Sequence, residues 1–153
     1  MPKKFWQFRN AAGSGSAELL LYGDISDTSW WGDEVTPKQF AEELNALGIV
    51  NEITVRINSG GGDVFAAQAI GNLLEQHPAS ITARIDGLCA SAATIIACHC
   101  SKVIAANDST YMVHPVSMGI RGYVDAVRLQ QYLEAIAVIK ENIICFPLFP
   151  FFF

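Results

Sequence analysis

The chain has 153 residues, which suits one domain with a substantial hydrophobic core. Apolar residues make up 51% and charged residues 16%, so extensive subunit contacts are expected, while the net charge of −5 argues against a general nucleic-acid binder. No apolar run approaches the ~20 residues of a membrane span, and the basic residues of MPKKFWQF are not followed by the apolar stretch of a signal peptide. The cysteines (Cys89, Cys98, Cys100, Cys145) lack the spacing of a secreted disulfide framework, so a reduced, cytoplasmic protein is the expectation.

Residues 1–17, ending in AAGSGSA, read as a flexible leading segment. ELLLYGDI follows as a short apolar strand centred on Leu19 to Tyr22, and DTSWWGDEV reads as a loop. TPKQFAEELNALG carries full helix punctuation: Thr36 as N-cap, Pro37 at the first helical position, Gln39 completing a capping box and Gly48 as terminator. Phe40, Leu44 and Leu47 form its apolar face.

ITVRI, 53–57, alternates as a strand and runs into NSGGGD, a sharp glycine-rich turn. VFAAQAIGNLLEQ, 64–76, reads as a helix that His77-Pro78 ends. SITARI, 80–85, is the next strand, and GLCASAATIIACH reads as a turn entering a buried helix. KVIAA and YMVH, 111–114, are further strands, and residues 123–144 place Val127, Leu129, Leu133, Ile136, Ile139 and Ile143 in a long helical pattern. This alternation of strands and helices predicts an α/β fold of βαβ units. Residues 145–153, CFPLFPFFF, break the pattern: prolines oppose a helix and no charge is present, so the segment reads either as an apolar docking tail or as the product of a shifted frame.

Three pieces carry chemistry. The consecutive glycines of Asn58–Asp63 let a ligand approach the main chain, and their N–H groups suit half of an oxyanion hole. An ordinary strand-to-helix turn is the plain alternative, and a phosphate loop is disfavoured because the GK[ST] ending is missing. Ser91 sits among alanines where a strand turns into a helix, with the N–H of Ala92 near the helix's positive end. It is either a nucleophile or a small residue in a close-packed helix, and its flanks are not those of the G-x-S-x-G elbow. His114, at the end of a strand before Pro115, is placed to act as a general base or as a structural imidazole.

The order and spacing of YGDIS, DEVTPKQFAEEL, INSGGGDVFAAQAI, IDGLCASAAT and MVHPVS resemble the proteolytic subunit family of Clp serine peptidases, most closely the phage-type members that accompany capsid maturation. The resemblance implies Ser91 as nucleophile, His114 as general base, Gly62 and Ala92 as oxyanion N–H donors, and Gly61 in support of the turn. It implies a crotonase-like β-superhelix of repeated βαβ units with a long handle helix near 123–144, spanning a domain from about 18 to 144. It also implies a peptide or protein substrate, heptameric rings often stacked in pairs, an ATP-dependent unfoldase or capsid proteins as further partners, and no cofactor, metal, nucleic acid or membrane. Where the family's turn has proline before two glycines, this chain has Gly60.

The family's third acid lies in a later segment that residues 145–153 do not match, so the chain is expected to be truncated there and the acid is unassigned. Asp108 and Asp125 do not match its position. Cys98-His99-Cys100 lacks the second ligand pair of a structural zinc site, Lys102 reads as a solvated lysine rather than a Ser–Lys base, and Trp30-Trp31 reads as a surface or a packed lid. A catalytically inactive assembly protein is the alternative function. A crotonase-type acyl-CoA enzyme shares the superfold but does not need the serine–histidine pair.

Overall fold

A computed structural model describes residues 4–11, 15–26 and 36–144. The expectations for Trp30-Trp31 and for the tail at 145–153 lie outside these residues. The described chain divides into two compact units, the first ending at Val113 and the second beginning at His114, within the span expected as one domain.

The first unit is built on a six-stranded sheet. Its central strands are β2 (Ser16–Tyr22), β3 (Glu52–Ser59), β4 (Ser80–Ala90) and β5 (Lys102–Ala105), side by side in that order and all parallel. Alternation of side chains fixes the core face: Leu19, Leu21, Ile53, Val55, Ile57, Ile81, Ala83 and Ile85 are buried. The crossovers are α1 (Pro37–Asn45), α2 (Val64–Glu75) and α3 (Ala92–Cys98). Thr36 caps α1 as expected, its hydroxyl accepting the Gln39 N–H at 3.3 Å, and Phe40 and Leu44 are buried. Asp63 caps α2 by accepting the Ala66 N–H at 2.7 Å.

Two elements depart from the sequence expectation. Residues 6–11, read as part of a flexible segment, form β1 (Trp6–Ala11), which pairs antiparallel with β2. The reason is the alternation in FWQF: Trp6 and Phe8 both lie against Phe40, with ring centroids 5.5 and 5.2 Å away. Moreover, β4 does not turn at Gly87 but runs on to Ala90. Its register against β3 shifts between Ile57 and Ser59, so that Ile57 faces Ile85 but Ser59 faces Cys89. The extra length is a bulge, braced by the Asn58 side chain, whose Oδ1 accepts the Leu88 N–H at 3.1 Å. Beyond the bulge, β4 pairs with β6 (Thr110–Met112). β3 occupies one edge of β4 throughout, so β5 and β6 share the other. This mixed α/β arrangement is the expected fold class.

The opposite sheet face is polar. Asp86, just before the bulge, accepts from Arg56 Nε at 2.7 Å, from Arg56 Nη2 at 3.0 Å and from the Tyr22 hydroxyl at 2.8 Å. The Arg56 hydrogen bonds hold the Asp86 carboxyl below its ordinary range, against the opposing effect of burial. A depressed carboxylate contributes stability above its unfolded pKa of about 3.9 and loses it as pH falls through the lower folded value. Asp86→Asn is therefore expected to lower Tm at pH 7, by a margin that shrinks as pH falls through the lowered folded value. Thermal melts across pH check this, and a constant difference at every pH would remove the ionic explanation. A shallow cavity of about 670 Å³ lies on this face, lined by residues including Arg9, Glu18, Arg56 and Arg84, and none of the expected site residues borders it.

The second unit contains α4 (Ala126–Ile144), three residues shorter at its start than the expected 123–144. Asp125 caps it, its Oδ1 accepting the Arg128 N–H at 2.8 Å. Val127, Leu129, Leu133 and Val138 are exposed. No helix among the described residues is long and apolar enough to cross a membrane.

Candidate active site

Ser91 follows directly on the last residue of β4. Its N–H donates to the Met112 carbonyl of β6 at 2.9 Å, and its carbonyl accepts the Thr94 N–H at 2.9 Å and the Thr94 hydroxyl at 2.6 Å. These bonds hold the residue through a reversal from strand into α3. Its backbone sits at φ 54°, ψ −127°, and among the described residues it is the only non-glycine with positive φ. That conformation is costly for a residue with a Cβ and persists only where surrounding bonds over-determine it. Ser91 stands at the N-cap of α3, yet its side chain makes no capping bond. A serine normally favoured there for its cap leaves its hydroxyl uncommitted. The reversal is thus reached with Cys89 and Ala93 at the positions that G-x-S-x-G gives to glycine.

The glycine turn lies against this reversal. A Cβ on Gly61 would fall 2.6 Å from the Ala90 oxygen and from Ser91 Cβ, and 2.8 Å from the Ala92 nitrogen, so only glycine lets β3 and β4 end this close. Gly61 and Gly62 have φ of 96° and 142°. On its other side the turn meets Ile25, whose N–H donates to the Gly61 carbonyl at 2.9 Å and whose carbonyl accepts the Asp63 N–H at 2.9 Å. Among the described residues, neither the Gly62 N–H nor the Ala92 N–H has a hydrogen-bond acceptor. The structure brings Gly61, Ser91 and Ala92 together. Gly60 has open space around its Cβ position and no need of glycine.

His114 is the first residue of the second unit, exposed and beyond the end of β6, although the sequence reads it as the end of the strand. Its Nδ1 lies 2.7 Å from the Pro115 carbonyl oxygen. A carbonyl only accepts, so this bond places the proton on Nδ1 and leaves the Nε2 lone pair able to take a proton. Asp125 is committed to capping α4, and Asp108 is exposed between β5 and β6.

The other polar residues weighed from sequence have structural surroundings. His99 is buried, with Nδ1 2.8 Å from Glu75 Oε2, and its ring fills the space a Cβ on Gly71 would need. Cys89 and Cys100 are buried, and burial pushes both thiols up to about 12. Cys98 is half-buried, its sulfur 3.6 Å from the Tyr111 hydroxyl. Lys102 is exposed at the start of β5. The residues that sequence reasoning passed over are Ile25, Asn58 and Ser59. The polar pair directly before the glycines was the available signal.

Comparison with known proteins agrees with this architecture. The sequence profile described as Clp protease matches residues 32–146. No curated protein matches by sequence. Among solved structures, a ClpP1 point mutant from Listeria monocytogenes aligns with a TM-score of 0.67 at 22% identity, covering 82% of this chain and 67% of that one. At that identity the likeness speaks for the fold, whereas the profile spans most of the chain, including the glycine turn, the Ser91 reversal and His114. The chain belongs to the Clp protease family.

Proposed function

We propose that the chain is a serine endopeptidase with Ser91 as nucleophile and His114 as general base. The observation that carries this reading is the backbone of Ser91, held at φ 54° with its hydroxyl unspent. In the proposed reaction, Nε2 of His114 takes the Ser91 proton as Oγ adds to the substrate carbonyl. The N–H groups of Gly62 and Ala92 stabilise the resulting oxyanion. Collapse breaks the C–N bond, His114 returns the proton to the leaving amine, and water then hydrolyses the acyl-enzyme by the same steps in reverse. No cofactor enters the scheme. The Pro115 carbonyl sets the imidazole tautomer that this scheme needs.

The same resemblance supports a phage-type role in capsid maturation, a cytoplasmic setting and a homo-oligomeric ring, heptameric or double. The exposed apolar side chains of α4 support its role as the handle between such rings. The inactive assembly protein is the second reading.

Labelling with a fluorophosphonate probe separates the two. The wild-type chain is expected to label, Ser91→Ala not at all, and His114→Ala slower by about 10²- to 10⁴-fold. A folded wild-type chain that does not label would leave the assembly protein as the better account.

A further inference from the structure

Ser59 has no part in the serine–histidine scheme, yet it is buried and its hydroxyl makes two bonds. Its Oγ donates to the Gly23 carbonyl at 2.6 Å and accepts the Gly61 N–H at 3.1 Å. Gly61 is therefore tied at both of its backbone polar groups: the N–H by Ser59, and the carbonyl by the Ile25 N–H at 2.9 Å. Both anchors reach the segment after β2, which is itself fastened to β3 by the Gly23 N–H donating to the Asn58 carbonyl at 3.1 Å.

The two bonds fix adjacent peptide planes: Ser59 holds the Gly60–Gly61 peptide by its N–H, and Ile25 holds the Gly61–Gly62 peptide by its carbonyl. A trans peptide directs its C=O and the following N–H to opposite sides. With the Gly61 carbonyl aimed at Ile25, the Gly62 N–H must point away from the 23–25 segment. A peptide between two glycines has more rotational freedom than any other, so without anchors its N–H would sample many directions. An oxyanion donor is effective only when its direction is set before the charge develops.

We propose that Ser59 is a positioning residue: by fixing the Gly60–Gly61 peptide it limits rotation at Gly61, so that the Gly61–Gly62 peptide, held by Ile25, presents the Gly62 N–H as a donor. The proposal deepens the serine-peptidase reading and rests on it for its catalytic consequence. Its structural core, a Gly61 immobilised through the peptides on both of its sides, stands apart from that reading.

The test compares wild type, Ser59→Ala and Ser59→Thr in two measurements. In peptide hydrolysis, Ser59→Ala is expected to lower kcat by about 10- to 100-fold, part of the 10²- to 10³-fold lost when an oxyanion donor is removed. KM should stay within about twofold of wild type, because ground-state binding does not use that donor. Ser59→Thr keeps the hydroxyl and should recover most of the loss. In amide hydrogen exchange, Ser59→Ala should speed exchange in the peptide containing Gly61 and Gly62 by about tenfold or more, since a protecting bond is gone. Unchanged exchange there would overturn the positioning role whatever the activity. Equal losses in kcat and KM efficiency in both variants, with a matching fall in Tm, would also overturn it, because a general structural defect would then account for everything. If the wild-type chain proves inactive while exchange responds as expected, the peptidase reading falls and the immobilising role of Ser59 stands.

Discussion

Replacing Ser91 with glycine is expected to give a chain that is more stable than Ser91→Ala and fully inactive. At φ 54°, ψ −127° a side chain with a Cβ carries a strain of about 1–3 kcal/mol. Alanine retains that strain, and glycine does not. Glycine elsewhere costs about 0.5–1 kcal/mol through the entropy of the unfolded chain. The strain exceeds this cost, so glycine should lead alanine by about 1 kcal/mol, or about 2–4 °C in Tm for a chain of this size. Both variants remove the nucleophile, and such a loss lowers kcat by roughly 10⁶-fold in serine peptidases. Paired thermal melts and peptide turnover give the answer. Alanine as stable as glycine would mean that the backbone at 91 relaxes at no cost, and the strongest structural support for a nucleophile there would be gone.

The second large effect separates two adjacent glycines. Gly61→Ala places a methyl 2.6 Å from the Ala90 oxygen and Ser91 Cβ and 2.8 Å from the Ala92 nitrogen, at φ 96°. None of these atoms belongs to a flexible side chain, so the methyl can be accommodated only by moving the nucleophile or the turn. Strain in the left-handed region costs about 1–2 kcal/mol and overpacking about 1–3 kcal/mol more. A total near ~3 kcal/mol is expected, together with at least a ~10²-fold fall in turnover, since small misplacements of reacting groups have that effect. Gly60→Ala meets open space without positive φ and should stay within about 0.5 kcal/mol of wild type, with activity preserved. Denaturant melts and peptide hydrolysis of the two variants check the contrast. Activity retained in Gly61→Ala would show that the approach of the turn to Ser91 is not needed for function.

Much of this architecture is legible in the sequence because it depends on local chemistry. The alternation in ITVRI and SITARI places Ile53, Val55, Ile57, Ile81, Ala83 and Ile85 on one buried face, and period-2 geometry allows little else. The α1 start is written in Thr36 and Pro37, because the cap bond joins residues three apart. The order of the glycine turn, the ASA segment and MVHPVS carried the family, and with it the roles implied for Ser91, Gly61, Gly62, Ala92 and His114.

Other features depend on partners distant in the chain. β1 is a strand because Trp6 and Phe8 find Phe40 on a helix that begins some thirty residues later, and the glycine-rich residues that follow it hid that pairing. β4 passes Gly87 without turning because Asn58 of the neighbouring strand holds the Leu88 N–H. Among three successive glycines, sequence cannot tell which is required; the proximity of Ala90 and Ser91 selects Gly61, and the proximity of Ile25 selects Gly62. By itself, then, the sequence determined which residues face the core, where the helices begin and which chemical groups are available. The tertiary structure alone decided the backbone angle at Ser91, the bonds that impose it and the anchoring of Gly61 by Ser59 and Ile25. The physical reason is that a strained dihedral or an oriented peptide is held by hydrogen bonds from other strands, and no local pattern of residue types encodes where those strands will lie.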